Sequence, residues 1–378
     1  MKNIELSIQT ADPVHVQIER FLRRQILAGE LEPAEQLPST DELVRQLHVN
    51  RASVIKAMAR LQAEGLIERK PKRGTFVKSS VDKTVIGVLI GESLSDETSY
   101  FQRAVCKHLR SELMSMQDRY WTYRVYDGLF GMENQGDFRS LPMFQNLTND
   151  LRNYPFKGMI QIMGGLSSAQ ASQLEFNLPT VRLGPPLQGA QAEVILDYHR
   201  FGREAVEYAV RHGAKKLVCL RGIYEASDYS LDLDGIGEAA KETGLPPVEI
   251  HQLQPSLIGG PHLEQAGYNQ TRQLVDAWRT NGWPDAMLIS DDIAARGAVR
   301  ALVEQEKEVA GRLLLVVMAN EGIEHHYELP VARYEFSPET VAREMLRVLW
   351  KRIAGEPLDG APVRIAGRLK VPGGPLAA

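Results

Sequence analysis

Cysteine is nearly absent: Cys106 and Cys219 are the only two in 378 residues. Two isolated thiols exclude a disulfide framework, and they lack the close pairing that zinc ligands show. No apolar run approaches the ~20 residues needed to cross a bilayer. The opening MKNIELSIQTADP has no apolar core of the secretory kind. There is no low-complexity tract, and no Gly-x-Ser-x-Gly elbow, Walker loop or dinucleotide fingerprint. Gly164-Gly165 reads as a turn, Asp292 of the adjacent pair Asp291-Asp292 as a helix N-cap, and Glu321 to His326 as an exposed loop. These absences point to a cytoplasmic chain that does not enter a membrane, is not an enzyme, and holds neither metal nor cofactor.

What is present is an ordinary globular composition, 43% hydrophobic and 24% charged, long enough for two or three domains. The net charge of −4 hides an asymmetry. Between Pro13 and Lys78 there are 12 Lys and Arg against 8 Asp and Glu, a surplus of +4, so the rest of the chain carries −8. A basic small segment on an acidic large one suits contact with phosphate at one end.

The small segment reads as three helices and a hairpin. Val14, Ile18, Phe21, Leu22 and Ile26 recur at helical spacing, which predicts a helix from Pro13 to Ala28 stopped by Gly29. Ser39 or Thr40 caps a second helix, with Asp41 and Glu42 at its positive end and Leu43 and Leu47 inward. His48-Val49-Asn50 is the turn. A third helix from about Arg51 buries Val54, Ala57, Met58 and Leu61 and ends at Gly65. Leu66 to Arg69 and Thr75 to Val77 then alternate as two strands around Lys70-Pro71-Lys72-Arg73-Gly74. This order outlines a winged helix-turn-helix.

The segment resembles the GntR family of bacterial transcription regulators from Pro13 to Val77. The resemblance is carried by Ile26-Leu27-Ala28-Gly29-Glu30-Leu31, Leu37-Pro38-Ser39, Leu61-Gln62-Ala63-Glu64-Gly65-Leu66-Ile67 and Arg73-Gly74-Thr75-Phe76-Val77. It implies that the third helix enters the major groove, with Asn50, Arg51, Ala52, Ser53 and Lys56 at its exposed N-terminal face. Ser39 and Thr40 join the DNA-contacting set, and Lys72, Arg73 and Thr75 form the wing. Two positions depart from the family: Asp41 and Ile55 stand where cations are common, so base preference does not transfer.

Beyond the polar linker at residues 79–83, apolar strand-like runs alternate with helix-like stretches, the pattern of a parallel sheet covered on both faces. Expected strands are Val85 to Ile90, Trp121 to Val125, Gly158 to Met163, Thr180 to Leu183, Leu217 to Leu220, Val248 to Leu253, Ala286 to Ile289 and Leu313 to Val317. Expected helices are Phe101 to Met114, Gly202 to Arg211, Gln265 to Trp278 and Ile293 to Val303. So many strands divide most naturally into two βαβ lobes.

Nearly all of the stretch from Lys83 to Gly374 resembles the sugar-binding core of LacI-type repressors, itself similar to periplasmic binding proteins. The carrying residues are Ile86-Gly87-Val88, Arg211 to Leu217, Ala286 to Ala294 and Gly297-Ala298. The resemblance implies two lobes joined by crossovers, with ligand held at the strand C-terminal ends. It carries Glu92, Ser93, Asp232, Asp291, Asn320 and Tyr334 into the cleft. Asp232, Asp291 and Asn320 differ from the family's usual choices, and three acids there favour an amino sugar or another cation alongside a neutral sugar.

The expectation is therefore an α/β chain with a winged helix-turn-helix over residues 1–78, a linker, and a two-lobed effector and dimerisation domain. It would act as a homodimeric repressor that holds double-stranded operator DNA under the control of a small-molecule effector. The alternative is a small-molecule sensor with a vestigial DNA module.

Overall fold

The computed structural model describes residues 13–28, 30–63, 65–71, 73–78, 84–91, 93–96, 99–116, 121–128, 142–163, 178–184, 193–222, 231–253, 260–310, 312–358 and 360–372. Among the described residues the chain divides into two compact units, one holding residues 13–78 together with 84–85, 114–116 and 121–122, and the other the rest of the parallel-sheet region. No helix among the described residues is long and apolar enough to cross a membrane.

The small unit contains α1 (Val14–Ala28), α2 (Thr40–Leu47), α3 (Arg51–Ala63), β1 (Ile67–Lys70) and β2 (Gly74–Val77). Ile18, Leu22 and Ile26 of α1 join Leu43 and Leu47 of α2 and Val54, Ala57, Met58 and Leu61 of α3 in one core. Leu66, Ile67 and Val77 of the hairpin complete it. Ser39, not Thr40, caps α2. Its hydroxyl accepts the Glu42 N–H while the Glu42 carboxylate accepts the Ser39 N–H, a reciprocal capping box. His48 ends α2 in the left-handed region at φ 51°, and the Asn50 side chain accepts the Ser53 N–H at 2.7 Å to start α3.

The wing has a third ribbon that the sequence pattern does not reveal. Residues 34–37 run along β2: the Ala34 and Leu37 N–H groups donate to Val77 and Thr75 carbonyls, and the Val77 N–H donates to Glu35. The Gln36 amide donates to the Arg73 carbonyl at 3.0 Å, tying this ribbon to the wing tip. Within the helices, the buried Glu19 of α1 pairs with Arg23 and with Arg60 of α3.

The large unit contains two six-stranded sheets among the described residues. The first lobe holds β3 (Thr84–Ile90), α4 (Tyr100–Ser115), β4 (Trp121–Tyr126), α5 (Pro142–Asn153), β5 (Phe156–Ile162), β6 (Thr180–Leu183) and β7 (Val194–Leu196). The second holds α6 (Tyr198–Arg211), β8 (Leu217–Arg221), α7 (Leu231–Glu242), β9 (Glu249–Gln252), α8 (Gly260–Asn281), β10 (Ala286–Ile289), α9 (Asp292–Ala310), β11 (Leu314–Asn320) and β12 (Val331–Phe336). The chain then returns to the first lobe with α10 (Pro338–Ile353) and β13 (Val363–Ile365), and ends in the second with β14 (Arg368–Lys370). Strand orders are β13-β7-β6-β5-β3-β4 and β14-β12-β11-β10-β8-β9. β14 is antiparallel to β12, while β8 to β12 pair in parallel.

All eight expected strands lie on observed ones, and four more, β7, β12, β13 and β14, appear. Three crossings join the lobes, and they hold one another. The Asp197 N–H, between β7 and α6, donates to the Ile365 carbonyl of β13 at 2.8 Å. Tyr198 packs edge-on against Phe336 with ring centroids 5.8 Å apart. Tyr334 accepts the Gly367 N–H on its hydroxyl at 3.2 Å. Asp197 and Ser337 also cap α6 and α10, so two crossings start the next helix.

Close helix contact in the second lobe depends on glycine. A Cβ at Gly235 of α7 would lie 2.0 Å from the His199 carbonyl oxygen of α6, and one at Gly297 of α9 would lie 1.8 Å from the Glu264 carbonyl oxygen of α8. Gly237, two residues along α7, faces open space. Gly235→Ala should therefore cost ~3 kcal/mol by overpacking, whereas Gly237→Ala should gain up to ~1 kcal/mol of helix propensity. Urea unfolding midpoints of the two variants check the opposite signs.

Candidate functional site

The third helix of the small unit divides its surface. Val54, Ala57, Met58 and Leu61 are buried, while Arg51, Ala52, Ile55 and Lys56 are exposed and Ser53 is half-buried. Ile55 is 45% exposed, a large apolar side chain left outside the core. The Arg51 guanidinium pairs with the Asp41 carboxylate of α2. In the wing, Arg73 is exposed and Thr75 half-buried, its carbonyl accepting the Leu37 N–H; Lys72 lies outside the described residues. Ser39 and Thr40 sit at the N-terminus of α2, where the Ser39 hydroxyl is committed to the cap. The fold thus brings Arg51, Ala52 and Lys56 together with Ile55 on one outward face.

In the large unit the two lobes meet through the loops that follow strand C-termini. Tyr100, entering α4, packs edge-on against His325, in the loop after β11, with centroids 5.5 Å apart. His325 Nε2 lies 3.3 Å from the Asp292 carboxylate, which also accepts the Asn320 side-chain N–H at 3.1 Å. The Tyr327 hydroxyl donates to the Asp292 carbonyl. On the first lobe, the Asp127 carboxylate after β4 accepts the Leu94 N–H at 2.6 Å and the Ser93 hydroxyl at 3.2 Å.

The expected cleft acids differ in their surroundings. Asp232 is buried against Arg221 at the end of β8, accepting from its Nε and Nη2 at about 3 Å. Asp291, not Asp292, caps α9: its carboxylate accepts the Ala294 N–H at 2.7 Å. Asp292, the expected cap, instead opens the helix, and the first helical turn reaches back one position to Asp291. Tyr334 is fully buried against Phe201 and Phe336, so it clamps the crossings and does not face the cleft. Glu92 lies outside the described residues. Burial first, then the Asp232 and Asp291 carboxylates, push the Tyr198 hydroxyl pKa up and keep it protonated.

Sequence reasoning missed Arg221, Asp127 and His325. Each carries a positional signal: Arg221 and Asp127 directly follow apolar strand residues, where chain ends reach the cleft. His325 was set aside with the Glu321 to His326 loop; it is held by Asp292, and no group of three or more potential ligands converges on a metal position among the described residues. Both thiols are poor nucleophiles, since burial, and then Asp127, pushes the Cys106 pKa up to about 12, and burial also raises that of Cys219.

The two acids should respond differently to removal. Asp232→Ala leaves a buried guanidinium without its carboxylate and should cost ~3 kcal/mol or more. Asp291→Ala removes a cap and should cost ~1 kcal/mol. Chemical unfolding of both variants measures the difference.

Residues 15–77 match the model of the bacterial regulatory proteins of the gntR family, and residues 206–372 match that of the periplasmic binding protein-like domain. The transcriptional repressor NagR of Bacillus subtilis is 36% identical over 86 residues, 22% of this chain and 35% of NagR. The chain thus spans about a third of that relative's length. Among solved structures, the Cra dual regulator of Pseudomonas putida, in complex with fructose 1-phosphate, superposes with a TM-score of 0.56 at 16% identity. It covers 76% of this chain and 98% of that one. The lac repressor dimer bound to operator and an anti-inducer gives 0.57 at 18% identity, covering 77% and 94%. These relatives and neighbours are transcription regulators by description; in this chain residues 15–77 match the gntR family model, and the C-terminal region has the periplasmic-binding-protein-like fold.

Proposed function

We propose that the protein is a transcription regulator, a repressor, whose hold on operator DNA is set by a small molecule in the cleft between its two large lobes. The observation that carries this reading is the outward face of α3: Arg51, Ala52, Ile55 and Lys56 stand clear of the core at the end of the helix that a helix-turn-helix inserts in the major groove. Residues 1–78 hold the DNA, 79–83 link, and 84–378 bind effector and form a homodimer in the cytoplasm. A two-fold protein reads a roughly palindromic operator, with one unit in each half-site.

The effector is a sugar. Asp232 is neutralised by Arg221 and Asp291 is engaged at a helix terminus, which leaves less free negative charge than three exposed acids would supply. That balance favours a neutral polyol over an amino sugar, and the carboxylates, amides and hydroxyls at the strand ends supply the hydrogen bonds that sugar hydroxyls need. The complex of the Pseudomonas putida neighbour with fructose 1-phosphate supports the same ligand class. Ligand bridging the lobes shifts them about the three crossings and changes the half-site geometry.

The test is fluorescence anisotropy with duplexes from upstream of the protein's own gene. Wild type should bind one of them with an affinity that falls steeply with salt, ~0.9 log units per log unit of salt for each phosphate neutralised. Arg51→Ala should lose ~1–3 kcal/mol of discrimination and retain its response to sugars in a thermal-shift screen. A protein that binds none of these duplexes at low salt contradicts the regulator reading.

A further inference from the structure

The ion pair on the DNA-facing surface carries a consequence beyond charge. Asp41, in the first turn of α2, and Arg51, the first residue of α3, are both about two-thirds exposed, yet their side chains meet. The neighbouring polar groups have other duties. Glu42 completes the capping box, and its carboxylate is held below its usual range by the Ser39 backbone and hydroxyl. Asn50 caps α3. Arg45 turns its Nε to the Asp41 carbonyl, not to the carboxylate. The Asp41 carboxylate is therefore the group that orients Arg51.

An exposed ion pair contributes little to stability. Its effect lies in where it holds the guanidinium. A free surface arginine samples many rotamers, and ordering it on DNA costs rotamer entropy. Asp41 engages Nη1 of Arg51, which leaves the Nε–Nη2 edge as a parallel pair of donors. That pair matches the O6 and N7 acceptors of guanine in the major groove. The same carboxylate repels nearby phosphates and so weakens binding to every sequence alike.

We infer that Asp41 is a positioning residue for Arg51: it fixes the guanidinium for bidentate recognition of one guanine and exchanges non-specific affinity for base selectivity. This rests on the DNA-binding reading above. It also gives the acid at this position, where the resemblance leads one to expect a cation, a physical role.

The experiment uses the full chain. Sites are selected by wild type from random duplexes, and Arg51→Ala identifies the base pair whose substitution it no longer senses. Affinities are then measured for the selected site, the same site with that pair replaced, and a random duplex. For wild type the replacement should weaken binding by about tenfold or more. Asp41→Asn should reduce that penalty to about twofold and bind the random duplex several-fold more tightly. Arg51→Lys, which keeps the charge and loses the fork, should show the same loss of selectivity with an unchanged salt slope. A role confined to stabilising the start of α2 would move the unfolding midpoint of Asp41→Asn and leave the base-pair penalty intact, which would overturn the inference. So would a wild type that selects a site whose every position remains sensed by Arg51→Ala. If wild type selects no sequence, the DNA-binding reading falls and this inference falls with it.

Discussion

The small unit depends on a single constraint: α3 must bury one face and offer the other. Val54, Ala57, Met58 and Leu61 lock it against α1, α2 and the hairpin, and this burial is what allows Arg51, Ala52, Ile55 and Lys56 to stand out at full length. The helix cannot rotate without exposing four apolar side chains, at ~25 cal/mol for each square ångström uncovered. A fixed outward face is thus a by-product of core packing. The capping box at Ser39, the left-handed His48 and the Asn50 cap fix the turn between α2 and α3, and Gln36 holds the wing tip from a third ribbon.

The large unit joins two separate cores. Its three crossings are tied to one another by the Asp197–Ile365 bond, the Tyr198–Phe336 contact and the Tyr334–Gly367 bond. Gly367 has no room for a side chain, since a Cβ there would lie 2.4 Å from the Tyr334 ring. The Tyr100–His325 contact meets across the lobes on the strand-end side. Polar groups at those strand ends are largely engaged with one another, Asp232 with Arg221 and Asp292 with Asn320 and His325.

The periodicity of the chain made the three helices of the small unit and eight strands of the large one legible, because most of them bury an apolar face; β9, with Ile250 39% exposed, is the exception. β7, β13 and β14 were not, being three residues long, and β12 reads Val-Ala-Arg-Tyr-Glu-Phe, whose Arg333 and Glu335 break the apolar run. Glu335 is buried beside Arg333 and Lys370, a compensation between strands that no local pattern displays. The same limit applies to the sites. Asp41 was visible as a departure, but its pairing with Arg51 spans ten residues and a turn. Asp232 stood out as an acid, but Arg221, which neutralises it, lies on another element. Tyr334, expected in the cleft, is instead buried against Phe201 and Phe336, a packing of distant chain segments that no local pattern displays.

The central claim is that one chain couples a DNA-reading face to a ligand cleft, and coupling is reciprocal. The most direct measurement is calorimetric titration of the sugar found by thermal-shift screening into the full-length protein, with and without saturating selected DNA. The account predicts that DNA changes the sugar's dissociation constant by a factor of about 5 to 150, and that the sugar changes DNA affinity by the same factor. Equal sugar affinity in the two titrations would contradict it.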